Sequence, residues 1–182
     1  MNLKPENTDY MMDNNVNHPL ENIYLTKLTA ADFENYFLLV GDEKVMAMVT
    51  ERTITIEEAK SNFERILQNN RIHPRFGTYR ITDKSTGAFI GTVKLSVEKT
   101  GADKAELGYM LLPAYWGKGI GGKVAGKLIE IAKSERQIKR IFAIIDPRNI
   151  PSRQILIKNG FYSVELKDFD GLPGEILELK LD

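Results

Sequence analysis

Trp116-Gly117-Lys118-Gly119-Ile120-Gly121-Gly122-Lys123-Val124 lies between a strand pattern, Ala105 to Leu112, and a helical pattern with apolar residues at Ile120, Val124, Leu128 and Ile131. Glycines that open a helix leave its first N–H groups uncovered. Those donors and the positive end of the helix dipole form a ready anion site, each charge-assisted hydrogen bond contributing roughly 1.5–3 kcal/mol when shielded from water. Phosphate is the natural guest. The alternative is that the glycines simply let the helix pack close to a sheet.

Outward from this turn, the chain alternates: a strand at Arg140 to Ile145, a helix from about Ile150 to Asn159, then apolar segments Phe161 to Leu166 and Ile176 to Leu181 joined by the turn-rich stretch Asp168 to Gly174. Upstream, Ile23-Tyr24-Leu25 reads as a strand. Thr29 is a cap for a helix through Phe33, Tyr36, Phe37 and Val40, and Thr55 with Glu58 forms a capping box for a second helix, Thr55 to Leu67. From Gly77 the period shortens to two through Tyr79 and Ile81. After the polar turn Asp83 to Gly87 it resumes at Phe89, Ile90, Val93, Leu95 and Val97, which makes a hairpin. Strand–helix–strand order favours a parallel pair and the hairpins favour antiparallel ones. The expected class is therefore α+β (mixed α/β): one domain over 21–182, with a central mixed, mostly antiparallel sheet of six to seven strands flanked by about four helices.

Composition limits the function. The 182 residues suit a single core, and 42% hydrophobic with 27% charged residues is a globular profile. No cysteine is present and there are only two histidines, His18 and His73, so thiol nucleophiles and Cys/His zinc sites are out and no metal is expected. Twenty-five basic residues balance twenty-five acidic ones, so nothing global points to nucleic acid. The apolar runs, such as Val45 to Val49, are far below the ~18 residues of a membrane span. The asparagine-rich residues 1–20 lack a basic segment followed by an apolar run, and read as a mobile lead-in rather than a signal peptide. A cytoplasmic protein is expected.

Three readings compete for the glycine turn. Gly117, Gly119 and Gly122 fit G-x-G-x-x-G, with Asp146 as the ribose acid, but only 36 residues follow Asp146 and the paired βαβαβ halves of a dinucleotide fold are missing. Gly117 to Lys123 fits G-x-x-x-x-G-K, but Val124 stands where a Mg²⁺-binding Ser or Thr belongs. The third reading takes in Glu106 to Gly121, Asn149-Ile150-Pro151-Ser152 and Lys158-Asn159-Gly160-Phe161. These motifs, in this order, resemble the GNAT N-acetyltransferases, most of all the branch of ribosomal-protein alanine and serine N-acetyltransferases. The family signature Q/R-x-x-G-x-G/A falls on Trp116 to Gly121, with Trp116 in place of Gln or Arg.

The resemblance implies acetyl transfer from acetyl-CoA, without a metal, to a primary amine by direct attack in a ternary complex. The acceptor is either a small molecule or a protein N-terminus, with no nucleic acid or membrane partner, and the enzyme is a monomer or homodimer. It assigns cofactor binding to Met110, Leu111, Trp116, Gly117, Lys118, Gly119, Ile120, Gly121, Gly122 and Asn149. It also implies a bulge that splays the strand of Met110 and Leu111 from its parallel neighbour. From Gly117 to Lys158 there are ten basic and three acidic residues, an excess that suits a polyanionic cofactor, with Lys118, Lys123 and Arg153 as candidate phosphate neighbours.

Two proton movements need partners. Glu106, on the same strand face as Gly108 and Met110, is the candidate general base, its alternative being a carboxylate merely paired with a lysine. Many relatives place a proton-donating tyrosine five residues before the phenylalanine of Gly160-Phe161. Leu156 occupies that position, which leaves Ser152 as candidate acid, or else a plain first-turn helix serine. His73-Pro74 and the first two helices are expected to shape acceptor choice. A catalytically silent CoA-binding module and a nucleotide-binding protein are the alternative functions.

Overall fold

The computed structural model describes residues 18–20 and 22–181. Eight strands form one sheet in the order β1-β2-β3-β4-β5-β6-β8-β7: β1 His18–Leu20, β2 Ile23–Lys27, β3 Gly77–Asp83, β4 Phe89–Ser96, β5 Lys104–Leu111, β6 Arg140–Ile145, β7 Tyr162–Phe169 and β8 Leu172–Lys180. Five helices accompany them: α1 Phe33–Val40, α2 Glu43–Met46, α3 Ile56–Asn69, α4 Ile120–Lys133 and α5 Ile150–Lys158. Among the described residues only β5 and β6 pair in parallel. The mixed, mostly antiparallel sheet is as expected. The eighth strand is the three-residue β1, which pairs with β2 inside the stretch read as a lead-in; the rest of that lead-in, residues 1–17, lies outside the described residues.

Alternation along β2 to β6 sends Leu25, Tyr79, Ile81, Val93, Leu95, Leu107 and Ile141 to one side, where Val124, Ala125, Leu128 and Ala132 of α4 close a continuous core. The burial of each of these large side chains contributes about 1.5–3 kcal/mol. The opposite face carries a second core from Tyr36 and Leu39 of α1, Val45 and Met46 of α2, and Ala59 and Phe63 of α3. The Thr55–Glu58 capping box is present in both directions, and Thr29 with Asp32 opens a 3-10 turn, Ala30–Asp32, ahead of α1. Asn70 ties the end of α3 to the sheet: its Oδ1 accepts from Thr78 N–H at 2.7 Å and its Nδ2 donates to Leu28 O at 3.1 Å.

Two boundaries differ from the sequence reading. Helix α4 begins at Ile120, past the first two glycines of the turn expected to open it, because Gly119 holds φ 75°, a left-handed conformation that only glycine adopts cheaply. The final hairpin is longer than expected. Its turn is only Asp170-Gly171, at φ 55° and 92°, which fits a two-residue Asp-Gly turn, and Pro173 is already inside β8 opposite Asp168.

Candidate active site

Strands β5 and β6 pair only through Lys104↔Arg140, Ala105↔Ile141 and Glu106↔Phe142, then part. The pairing of β5 with β4 runs unbroken from Leu111 to Glu106, so the split opens without the bulge that the resemblance implies. A cavity of about 410 Å³ occupies this gap, walled by Leu107 to Met110 on one side and Ala143 to Asp146 on the other. Its lining comes from both faces of the sheet. Tyr36 of α1, Ile66 of α3 and Met48, Val49 and Glu51 of the intervening segment contribute from one face; Asn149, Ser152 and Leu156 of α5 contribute from the other, and Phe169, Leu172, Pro173 and Gly174 of the last hairpin complete the rim.

Glu106 lines the cavity, and its carboxylate meets Lys94 Nζ at 2.7 Å. Lys94 reaches it by lying along Gly108, where a Cβ would come within 3.1 Å of the lysine Cε. The lysine pairing given as the alternative for Glu106 is present, and the paired carboxylate lies in the cavity wall. Met110 also lines the cavity, whereas Leu111 is buried outside it and its carbonyl accepts from the Trp116 indole N–H at 2.7 Å. That bond fixes Trp116, 47% exposed, immediately before the glycine turn.

Within the turn the glycines divide by role. A Cβ on Gly121 would come within 3.1 Å of Ile155 and 3.4 Å of the Tyr109 ring, so this glycine serves close packing. At Gly117, Gly119 and Gly122 a Cβ would meet nothing within 4 Å. Packing therefore does not account for these three, and they leave the N-terminus of α4 bare toward solvent. Lys118 extends over the Tyr115 ring beside it, and Lys123 is on the first turn of α4. This open end suits an anion, although none of Trp116 to Lys123 is among the residues that line the cavity. Arg153 does not belong to it: its Nε is spent on the buried Glu175 carboxylate at 2.9 and 3.2 Å.

On α5, Asn149 caps the helix through Oδ1, which accepts from Ser152 N–H at 3.2 Å, and both residues face the cavity. Leu156 is buried at the position of the usual tyrosine and forms apolar wall. The cavity also contains a phenol that sequence reasoning passed over. Tyr109 sits on the α4 side of β5, its hydroxyl buried and facing Ser152, but aligned for a hydrogen bond with nothing. Burial pushes this phenol above its ordinary value, with the Ser152 hydroxyl opposing, so it stays protonated at neutral pH.

A second network was also missed. Arg148 binds Asp146 through Nε at 3.0 and 3.1 Å and reaches Glu51, which sits at φ 56° after α2. The guanidinium holds the Asp146 carboxyl below the usual carboxylate range. Asp146 is thus engaged by Arg148 rather than waiting for a ribose. His73, expected to shape the acceptor end, stacks on Phe76 with centroids 4.2 Å apart and is not part of the cavity lining.

An acetyltransferase (GNAT) domain model matches residues 22–162, most of the chain. The chain belongs to the GNAT acetyltransferase family. Among relatives of this acetyltransferase is a probable N-acetyltransferase of Bacillus subtilis, YjcK, 30% identical over 156 residues that cover 85% of this chain and 81% of the relative. In fold it is similar to the ribosomal-protein-S5-alanine acetyltransferase of Vibrio fischeri, with TM-score 0.75, 21% identity, and 92% and 97% of the two chains covered. It is likewise similar to the spermidine N-acetyltransferase of Vibrio cholerae, solved with CoA and spermine, with TM-score 0.73, 15% identity, and 88% and 96% covered. The family and its N-acetyltransferase relatives set aside both nucleotide readings of the glycine turn. Among the described residues of this GNAT acetyltransferase, no helix is long and apolar enough to cross a membrane.

Proposed function

We propose that this acetyltransferase moves an acetyl group from acetyl-CoA to a single primary amine bearing an apolar neighbour, as at a peptide N-terminus, within a ternary complex. The observation that carries the acceptor class is the pairing of carboxylates in the cavity. Glu106 is taken by Lys94, and Asp146 and Glu51 are both taken by Arg148. A polyamine, with several spaced charges, would need several free carboxylates. Most of the remaining lining, Tyr36, Met48, Val49 and Ile66 with Phe169 and Leu172 at the rim, is apolar or aromatic, Thr78 and Thr92 being the polar exceptions, and suits a side chain next to one amine.

When bound, acetyl-CoA supplies the activated acyl group and a thiolate leaving group. The protein's part begins at the α4 N-terminus, where backbone N–H groups of Gly119 to Gly122, with Lys118, hold the anionic end. Ile120 starts the helix that aims those donors. Trp116 and Gly117 shape the entrance, with Leu111 anchoring Trp116 through its carbonyl, and Met110 and Asn149 border the split through which the arm passes. Glu106, on the acceptor face, takes the proton of the incoming ammonium, and Lys94 fixes the carboxylate in place while it does so. At pH 7 an α-amine of pKa ~7.7–8.0 costs only about 1–1.4 kcal/mol to deprotonate, against about 4.6 kcal/mol for an amine near 10.4. A lysine-paired carboxylate suffices for the first. Ser152, on the opposite face, is the hydroxyl placed to return a proton to the departing sulfur.

Glu106→Gln tests the assignment. It keeps the size of the side chain and removes the base, so kcat/KM on a peptide amine should fall about 100-fold or more. Unchanged turnover would remove Glu106 from catalysis. Acetyl-CoA binding by the wild-type protein without turnover on any amine of a broad panel would favour a silent CoA-binding module.

A further inference from the structure

We propose that Tyr109 is a positioning residue for the proton donor: once the cofactor is bound, its phenol donates a hydrogen bond to the Ser152 hydroxyl and so turns the serine's own proton toward the sulfur in the β5–β6 split. The inference rests on the donor-site reading above. Three observations point to it. The Tyr109 hydroxyl is buried and without a hydrogen-bond partner, a condition that costs about 1–3 kcal/mol and that a folded protein tolerates only where something else offsets it. It faces Ser152 inside the cavity, between the strand expected to carry the thioester and the first turn of α5. And Leu156 leaves the family's usual hydroxyl position apolar, so the hydroxyls of Tyr109 and Ser152 are the pair available on this face.

The hydrogen-bond inventory fixes the direction. A serine hydroxyl has one proton and two lone pairs, and alone it rotates freely. Burial keeps the phenol protonated, so Tyr109 acts toward Ser152 as a permanent donor. Once Ser152 accepts that bond, its single proton must point elsewhere, and the open direction is the gap. The phenol keeps its own proton throughout. The transfer to sulfur is the serine's, and water beyond the gap restores it.

Tyr109→Phe separates this role from a structural one. The hydroxyl makes no bond in the free protein, so its removal should leave the melting temperature unchanged or raised. In the wild type, the thiol of bound CoA, followed by the ultraviolet absorbance of the thiolate against pH, should titrate about 0.5–1 unit lower than in Tyr109→Phe, because a serine hydroxyl held toward the sulfur favours the thiolate more than a freely rotating one. Turnover should fall about three- to tenfold in kcat, the equivalent of one neutral hydrogen bond, with KM for acetyl-CoA little changed. Ser152→Ala should remove the effect, so that the double variant is no slower than Ser152→Ala alone. Identical thiol titrations in wild type and Tyr109→Phe would overturn the inference, as would independent, additive losses in the two variants. Failure of the wild-type protein to bind CoA would overturn the donor-site reading itself, and this inference with it.

Discussion

Replacing Gly122 by alanine should move stability and cofactor affinity in opposite directions. Gly122 is inside α4, where glycine is worse than alanine by about 0.5–1 kcal/mol because it loses more backbone freedom on folding. The added Cβ would meet nothing within 4 Å, so no clash offsets that gain. For a chain of 182 residues, that stabilisation corresponds to a rise of roughly 1–4 °C in melting temperature. The same methyl stands at the mouth of the helix N-terminus. If it displaces one charge-assisted hydrogen bond to phosphate, about 1.5–3 kcal/mol, the dissociation constant for CoA should rise about 10- to 150-fold. Differential scanning calorimetry of the free protein and isothermal titration with CoA read the two effects separately. A lower melting temperature with unchanged CoA affinity would refute the reasoning, since the glycine would then be a packing residue like Gly121.

Other perturbations address the rest of the architecture. Arg148→Met should free Glu51 and Asp146, lower the melting temperature, and reduce KM for a multiply charged amine about two- to fivefold while leaving CoA affinity unchanged; kinetics with a polyamine and a peptide amine would check it. Asn70→Ala, which removes the links from α3 to Thr78 and Leu28, should cost about 2–3 kcal/mol in urea unfolding with catalysis largely kept. Acid should weaken the fold in two windows. Burial lowers His73, with Glu135 opposing, so the unfolded chain takes up that proton first; stability falls as the pH drops below about 6.5 and levels off below the folded value. Asp146 is depressed by Arg148, so its contribution is intact above its ordinary pKa near 3.9 and disappears only as the pH falls below it. His73→Gln should abolish the upper step alone in a stability–pH profile.

The sequence made the fold legible wherever periodicity and caps are local signals. The Thr55–Glu58 box, the Gly77 to Val97 hairpin and the strand–helix–strand unit around α4 all appear within a few residues of their expected bounds. The final hairpin was misjudged because its proline and glycines suggested a long loop, whereas Asp170-Gly171 alone makes the turn and Pro173 is on the strand. Glu106, Met110, Asn149 and Ser152 could be named from motifs, and all four line the same cavity. Tyr109 could not. Alternation puts it on the face opposite Glu106, and only the parting of β5 from β6 makes one cavity accessible to both faces. The link from Arg148 to Glu51 joins residues 97 apart and depends on where the segment after α2 crosses the sheet, which no local pattern encodes.

The most direct test of the account is a comparison of acceptors at saturating acetyl-CoA. Initial rates would be measured for a short peptide with a free N-terminus and an apolar first side chain, for the same peptide N-terminally blocked but carrying a lysine, and for spermidine. The account predicts that the free N-terminus is acetylated with the highest kcat/KM, about tenfold or more above the others, consistent with its lower deprotonation cost and with a cavity whose carboxylates are already paired. Preference for spermidine, or equal rates on all three, would contradict it.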